Sequence, residues 1–160
     1  MAGDIRGILL VTIPVSSLKR SVPWYRNVLG LSYVREFEVD GTMTVCGLAD
    51  LDARYGIQLR ARHATAGHPD LQGMHLVVLQ AADRAALDRF YAHVTSLGYA
   101  PTRGEHADGA WVAVDDPDGI ELRVMADLPT STGFAGFRFA GDAPPTQYDR
   151  PQMSFKRAPD

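Results

Sequence analysis

The sequence predicts an α+β fold of two βαβββ modules in one chain, followed by a C-terminal extension. Three observations carry this expectation. The order strand, helix, strand, strand, strand runs through the chain twice. The last strand of each run is nearly the same pentapeptide, Gly56-Ile-Gln-Leu-Arg60 and Gly119-Ile-Glu-Leu-Arg123. The two helical runs carry aromatic pairs at matching places, Trp24-Tyr25 and Phe90-Tyr91. Self-similarity of this kind marks a duplicated structural unit.

In the first module, the apolar run Ile8 to Val15 reads as a buried strand, and Ser16-Ser17 as candidate helix N-caps. Leu18, Val22, Tyr25 and Leu29 recur at helical spacing, and Gly30 suits a left-handed C-cap. Pro23 lacks a backbone donor, so the helix is expected to start late or to kink there. Strand-like stretches follow at Ser32 to Val39, Met43 to Leu48 and Ile57 to Ala61. In the second module, Met74 to Leu79 is the strand and Asp83 the helix cap. The helical stripe is Leu87, Phe90, Tyr91, Val94 and Leu97, and Gly98 closes it. Tyr99 to Thr102, Ala110 to Val114 and Ile120 to Met125 complete that module, with Asp115-Asp-Pro-Asp-Gly119 a turn in which Pro fixes one dihedral and Gly permits positive φ.

The expected divisions are therefore residues 1–63 for the first module, 64–72 for a Gly/His/Pro linker, 73–128 for the second module and 129–160 for the extension. The extension holds five aromatics (Phe134, Phe137, Phe139, Tyr148 and Phe155) without periodicity, and is expected to wrap the surface, a partner subunit or a pocket mouth.

Composition narrows the function classes. The chain has 160 residues, 46% hydrophobic and 22% charged, as in soluble globular domains. Its net charge of −3 argues against a nucleic-acid surface, which needs a basic footprint. The run Ile8 to Val15 is too short to span a bilayer, so no membrane partner is expected. A single cysteine, Cys46, excludes an intramolecular disulfide and fits a reducing, cytoplasmic setting.

The stretches Val15-Ser-Ser-Leu-Lys-Arg-Ser21, Trp24-Tyr-Arg-Asn-Val-Leu-Gly-Leu31 and Asp116-Pro-Asp-Gly119, set in two βαβββ modules, resemble the vicinal oxygen chelate superfamily. That group includes glyoxalase I, extradiol dioxygenases, fosfomycin-resistance enzymes and bleomycin-resistance binding proteins. The resemblance covers about residues 7 to 126. It implies that the modules form a cupped mixed sheet around one cavity and that the chain pairs as a homodimer. It further implies a divalent metal held by one residue on the first strand and one on the last strand of each module.

Carried over residue by residue, those positions are Leu10 and His75 on the first strands, and Arg60 and Arg123 on the last. Leucine cannot ligate and arginine is a permanent cation, so only His75 survives in this register. Residues two apart on a strand share a face, so a register shifted by two gives Gln58, His75 and Glu121. That set would suit a catalytic Mn, Fe, Zn or Ni ion.

Three functions follow. The first is a metal-independent pocket protein that binds or sequesters a planar or anionic metabolite or antibiotic, needing no cofactor. Leu10, Gln58, Arg60, Trp111 and Arg123 would contact the ligand, with Trp111 stacking on a flat molecule or packing in the core. The second is a metal-free isomerase or cyclase with His75 and Glu121 as catalytic acid and base. The third is a metal-dependent lyase or dioxygenase using Gln58, His75 and Glu121. An ion pair between Glu121 and an arginine is expected to shape the pocket, leaving one guanidinium for an acidic or phenolic group. Trp24, Met43 and Cys46 read as packing residues, and His63, His68, His93 and His106 are assigned no role.

Overall fold

The structure, a computed structural model, describes residues 8–52, 55–67, 70–106, 109–127, 136–141 and 143–148. The first module comprises β1 (Val11–Val15), α1 (Leu18–Leu29), β2 (Ser32–Val39), β3 (Thr42–Asp50) and β4 (Tyr55–Ala61). After a 3₁₀ turn at Arg62–Ala64 and the connection, the second comprises β5 (Val77–Gln80), α2 (Arg84–Ser96), β6 (Thr102–His106), β7 (Gly109–Asp115) and β8 (Glu121–Ala126). Each forms a four-stranded mixed sheet, in the orders β1-β4-β3-β2 and β5-β8-β7-β6. In both, the first strand runs parallel to the last, as the intervening helix requires, and the other pairings are antiparallel. The fold is thus the expected α+β pair of modules, with the two sheets unclosed.

Helix α1 spans Leu18–Leu29 with Pro23 inside it, so the proline does not delay its start. Gly30 terminates it at φ 66°, its N–H returning to the Arg26 carbonyl. Ser17 occupies the N-cap without a side-chain bond, and its neighbour Ser16 is held by Asp118. Asp83 caps α2 as expected, accepting from the Ala86 N–H at 2.7 Å.

Several boundaries differ from the sequence reading. Strand β1 begins only at Val11, and Ile8 and Leu9 are exposed. Tyr99 does not open β6. The Tyr99 N–H returns to the Val94 carbonyl and its ring tilts against Trp24, so the segment closes α2 rather than extending. The strand runs through Thr102–His106 instead, a stretch without apolar alternation because charged groups cover its helix side. There Arg84 bridges Glu105 and Asp127, and Arg103 lies over the Tyr91 ring. In the extension, the chain forms a hairpin of β9 (Gly136–Ala140) and β10 (Ala143–Tyr148), which the lack of periodicity did not announce. Phe134 and Phe155 lie outside the described residues.

One core joins the modules. Ile13, Val15, Trp24, Tyr25, Val28, Leu48, Ile57 and Leu59 from the first pack with Val94, Val114, Ile120 and Leu122 from the second. A polar latch reinforces this junction. Asp118, in the β7–β8 turn, accepts from the Ser16 backbone and hydroxyl and from Arg20 at 2.7 Å, while Arg62 lies at 3.7 Å. Its neighbour Asp116 is buried and accepts from the Tyr25 hydroxyl at 2.9 Å and from the N–H groups of Asp118 and Ile120.

The latch gives an alkaline signature. Burial, followed by the Asp116 charge and hydrogen bond, raises the Tyr25 phenol far above its ordinary value of 10.0. Above about pH 10 the unfolded chain has released this proton while the folded chain retains it, so stability falls as pH rises. Urea midpoints between pH 8 and 11 should therefore decline, and Tyr25→Phe should flatten that decline. Tyr33 and Tyr55 are shifted in the same direction, which leaves a residual slope. An unchanged slope in Tyr25→Phe would remove Tyr25 from this account.

Candidate functional site

Strand register fixes which side chains share the sheet face opposite each helix. In the first module Thr12, Gln58, Gly47 and Arg35 form one cross-strand row, and Pro14, Arg60, Val45 and Phe37 the next. Ile13, Ile57 and Leu59 alternate to the other face and are buried in the core. The Thr12 hydroxyl donates to Gln58 Oε1 at 2.9 Å, fixing which end of the amide faces β1. Leu10 precedes β1, its Cβ 3.6 Å from where a Cβ on Gly56 would stand. With Arg35, Phe37, Ala49, Tyr55 and Gln58 it lines a cleft of about 350 Å³.

In the second module Val78, Arg123, Ala113 and Thr102 form one row, and Gln80, Met125, Trp111 and Gly104 the next. Arg123 closes on Glu121 through Nε at 2.8 Å and Nη2 at 2.6 Å, both to Oε1. The same guanidinium lies 4.8 Å above the Trp111 ring. His75 sits just before β5, its Nδ1 3.8 Å from Glu121 Oε1. The ring of Trp111 occupies the space that a side chain at position 104 would fill, so it lies flat across β6.

The structure therefore brings His75, Glu121, Arg123 and Trp111 together in the second module; in the first it places Leu10 and Gln58 on one cleft and Arg60 in a separate depression with Asp40 and His63. The expected Glu121–arginine pair is present, with Arg123 as the partner. Two residues of consequence escaped the sequence reading. Arg35 shares the row of Gln58, and bulges between Tyr33 and Arg35 and between Phe37 and Glu38 disguise its side of the sheet. Asp118 looked like a turn residue alone, yet it carries the contacts that tie the turn to β1 and α1.

A model of the Glyoxalase/Bleomycin resistance protein/Dioxygenase superfamily matches residues 7–124, and the chain belongs to that superfamily. A catechol-2,3-dioxygenase of Bacillus subtilis (strain 168) is 26% identical over 122 residues. The match takes in 75% of this chain and 41% of that protein, so the chain spans about two fifths of the relative's length. Among solved structures, a lactoylglutathione lyase from Agrobacterium tumefaciens superposes with a TM-score of 0.61 at 19% identity, covering 76% of this chain and 94% of the other. The antibiotic-binding protein TnmS3 from Streptomyces sp. CB03234 superposes with a TM-score of 0.60 at 20% identity, covering 76% and 96%. These likenesses establish the fold, on which unrelated chemistries are built.

Members of the superfamily often hold a divalent metal. The pair His75 and Glu121 offers two candidate ligands, but Arg123 already occupies Glu121 Oε1 and brings a permanent cation within hydrogen-bond distance of it. Gln58 lies on the other sheet with its carbonyl oxygen engaged by Thr12. Among the described residues no three His, Cys, Asp or Glu side chains converge. This donor set does not fit a metal. No helix among the described residues is long and apolar enough to cross a membrane.

Proposed function

We propose that the protein is a metal-independent pocket protein that binds a planar or anionic small molecule, such as an antibiotic or a metabolite. The observation that carries this reading is the guanidinium of Arg123 seated on Glu121 at 2.6 Å. It turns the best potential metal ligand into a structural acceptor and holds a cation over an aromatic wall, Trp111. A flat ligand would lie on the Arg123 guanidinium plane that Trp111 supports from below, with Leu10, Gln58 and Arg60 contributing from the first sheet. The antibiotic-binding relative lends the reading support at the level of the scaffold.

A homodimer is part of this proposal. Val39 is exposed on the edge strand β2, and both sheets are open. Light scattering on the eluting protein should give twice the chain mass, and a monomer would remove this element.

One observation favours a second reading. His75 Nδ1 stands 3.8 Å from Glu121 Oε1, close enough for the carboxylate to orient the ring as an acid–base group in isomerisation or cyclisation. Elemental analysis of the purified protein, before and after incubation with Mn, Fe, Zn and Ni ions, tests both. Substoichiometric metal throughout is expected. One ion per chain, lost on His75→Ala and Glu121→Ala, would overturn both and favour a lyase or dioxygenase using Gln58, His75 and Glu121. With metal absent, ligand binding without turnover supports the first reading. Turnover abolished by His75→Ala with affinity retained supports the second.

A further inference from the structure

The cleft on the first sheet combines an apolar wall with a guanidinium that no carboxylate among the described residues engages. Leu10, Val34, Phe37 and Ala49 supply the wall, and Gln58 and Arg35 the polar groups. Arg35 is the cation at issue. Its stem crosses Gly47, where an added Cβ would stand 2.7 Å from Arg35 Cγ. The missing side chain at 47 is thus what lets the arginine lie along the sheet. Glu36, next in sequence, turns to the other face to receive the Tyr33 hydroxyl. The acid that does line the cleft, Asp50, pairs with Tyr55 three residues further along β3, roughly 10 Å away. It accepts from the Asp52 backbone N–H at 2.9 Å. Arg60, in the neighbouring row, lies outside this cleft, in a separate depression with Asp40 and His63.

We propose that Arg35 is the specificity-determining residue of this cleft, selecting ligands that join a flat apolar body to one carboxylate, sulfonate or similar anionic group. The guanidinium fork matches two anionic oxygens in one plane, and the apolar wall beside it strengthens the contact by excluding water. The contrast with the second sheet supports the assignment. There the arginine, Arg123, is consumed by Glu121. Charge recognition therefore falls to the first module. This inference rests on the pocket reading above and adds to it the class of ligand and the residue that chooses it.

Two dyes that share one ring system test it: 8-anilinonaphthalene-1-sulfonate and its neutral counterpart N-phenyl-1-naphthylamine, titrated by fluorescence into the full-length folded protein. The sulfonate should bind about tenfold more tightly than the neutral dye, the scale of one charge-assisted contact. Arg35→Met should erase that difference while leaving the neutral dye within twofold of its original affinity, which also shows that the variant is folded. Gly47→Ala, which displaces the Arg35 stem without removing its charge, should lose most of the preference. Equal affinities in the original protein, or a sulfonate preference that survives Arg35→Met, would overturn the assignment to Arg35 and leave the pocket standing. Saturable binding of neither dye would overturn the pocket reading and this inference together.

Discussion

Replacing Asp116 by alanine is expected to lower the unfolding free energy by about 3–5 kcal/mol, the cost of stripping the acceptor from several buried donors at once. Three donors converge on this side chain: the Tyr25 hydroxyl on Oδ2, and the Asp118 and Ile120 N–H groups on Oδ1. Alanine would leave all three without partners in a region from which water is largely excluded. For a chain of this size the loss corresponds to a fall in melting temperature of about 10 °C or more. Asp116→Asn should cost much less. Its carbonyl oxygen can still accept the two backbone groups, and its amide can donate to the phenol oxygen of Tyr25, which accepts as well as donates. Thermal melts of the two variants decide the matter. Equal losses would mean that the charge of Asp116, rather than its hydrogen bonds, holds the junction.

The pH behaviour of the two turn carboxylates separates their roles. Burial raises Asp116 above its ordinary value of 3.8, against the opposing pull of its hydrogen bonds. Its folded form therefore takes a proton before its unfolded form does, and Asp116 does not contribute to acid unfolding. Asp118 lies on the other side of its reference: burial would raise it, but the Ser16 bonds and the Arg62 and Arg20 cations outweigh that and lower it. Its contribution is full above about pH 4 and is lost as the pH falls through the lowered value. Acid weakening of the module junction thus belongs to the Asp118 latch.

The duplicated fold was legible because both of its signals are local. A strand's apolar run and a helix's spacing are read within a dozen residues, and Gly56–Arg60 and Gly119–Arg123 repeat almost letter for letter. Gly30 and Asp83 act on their own helix ends, so their roles were visible too. Ser16 was not, because its partner Asp118 stands 102 residues away. Alternation in β4 and β8 correctly put Gln58 with Arg60 and Glu121 with Arg123. The same rule fails in β2, where two bulges reset the count and hide that Arg35 shares the row of Gln58. The β9–β10 hairpin carried only the short alternation Phe137-Arg138-Phe139, and the two prolines of β10 broke the pattern in its partner. A cross-strand relation such as Trp111 over Gly104 depends on register, which no single strand encodes.

That last relation carries the second large effect expected. A methyl group at position 104 would stand 2.6 Å from Trp111 Cζ2 and 2.8 Å from Cε2, well inside van der Waals contact. The indole is broad and rigid and cannot yield by bending, so Gly104→Ala should force the ring off β6 or force β6 off β7. Overpacking of this kind costs about 2–3 kcal/mol. The ring also carries the Arg123 guanidinium at 4.8 Å, and that guanidinium holds Glu121 at 2.6 Å. Displacing Trp111 therefore removes the cation–π contact, worth roughly 0.5–1 kcal/mol in a partly exposed setting, and frees Arg123 to leave Glu121. The variant should show red-shifted indole fluorescence with an unchanged far-ultraviolet spectrum, and a weaker affinity for planar ligands than Trp111→Phe, which keeps a smaller ring in place. Trp24 emits as well, but from the core beside Tyr25, so it supplies a constant background. Fluorescence and melting temperature both unchanged in Gly104→Ala would mean that the indole does not rest on β6, and that the stacking surface proposed for the ligand is not held in the place described.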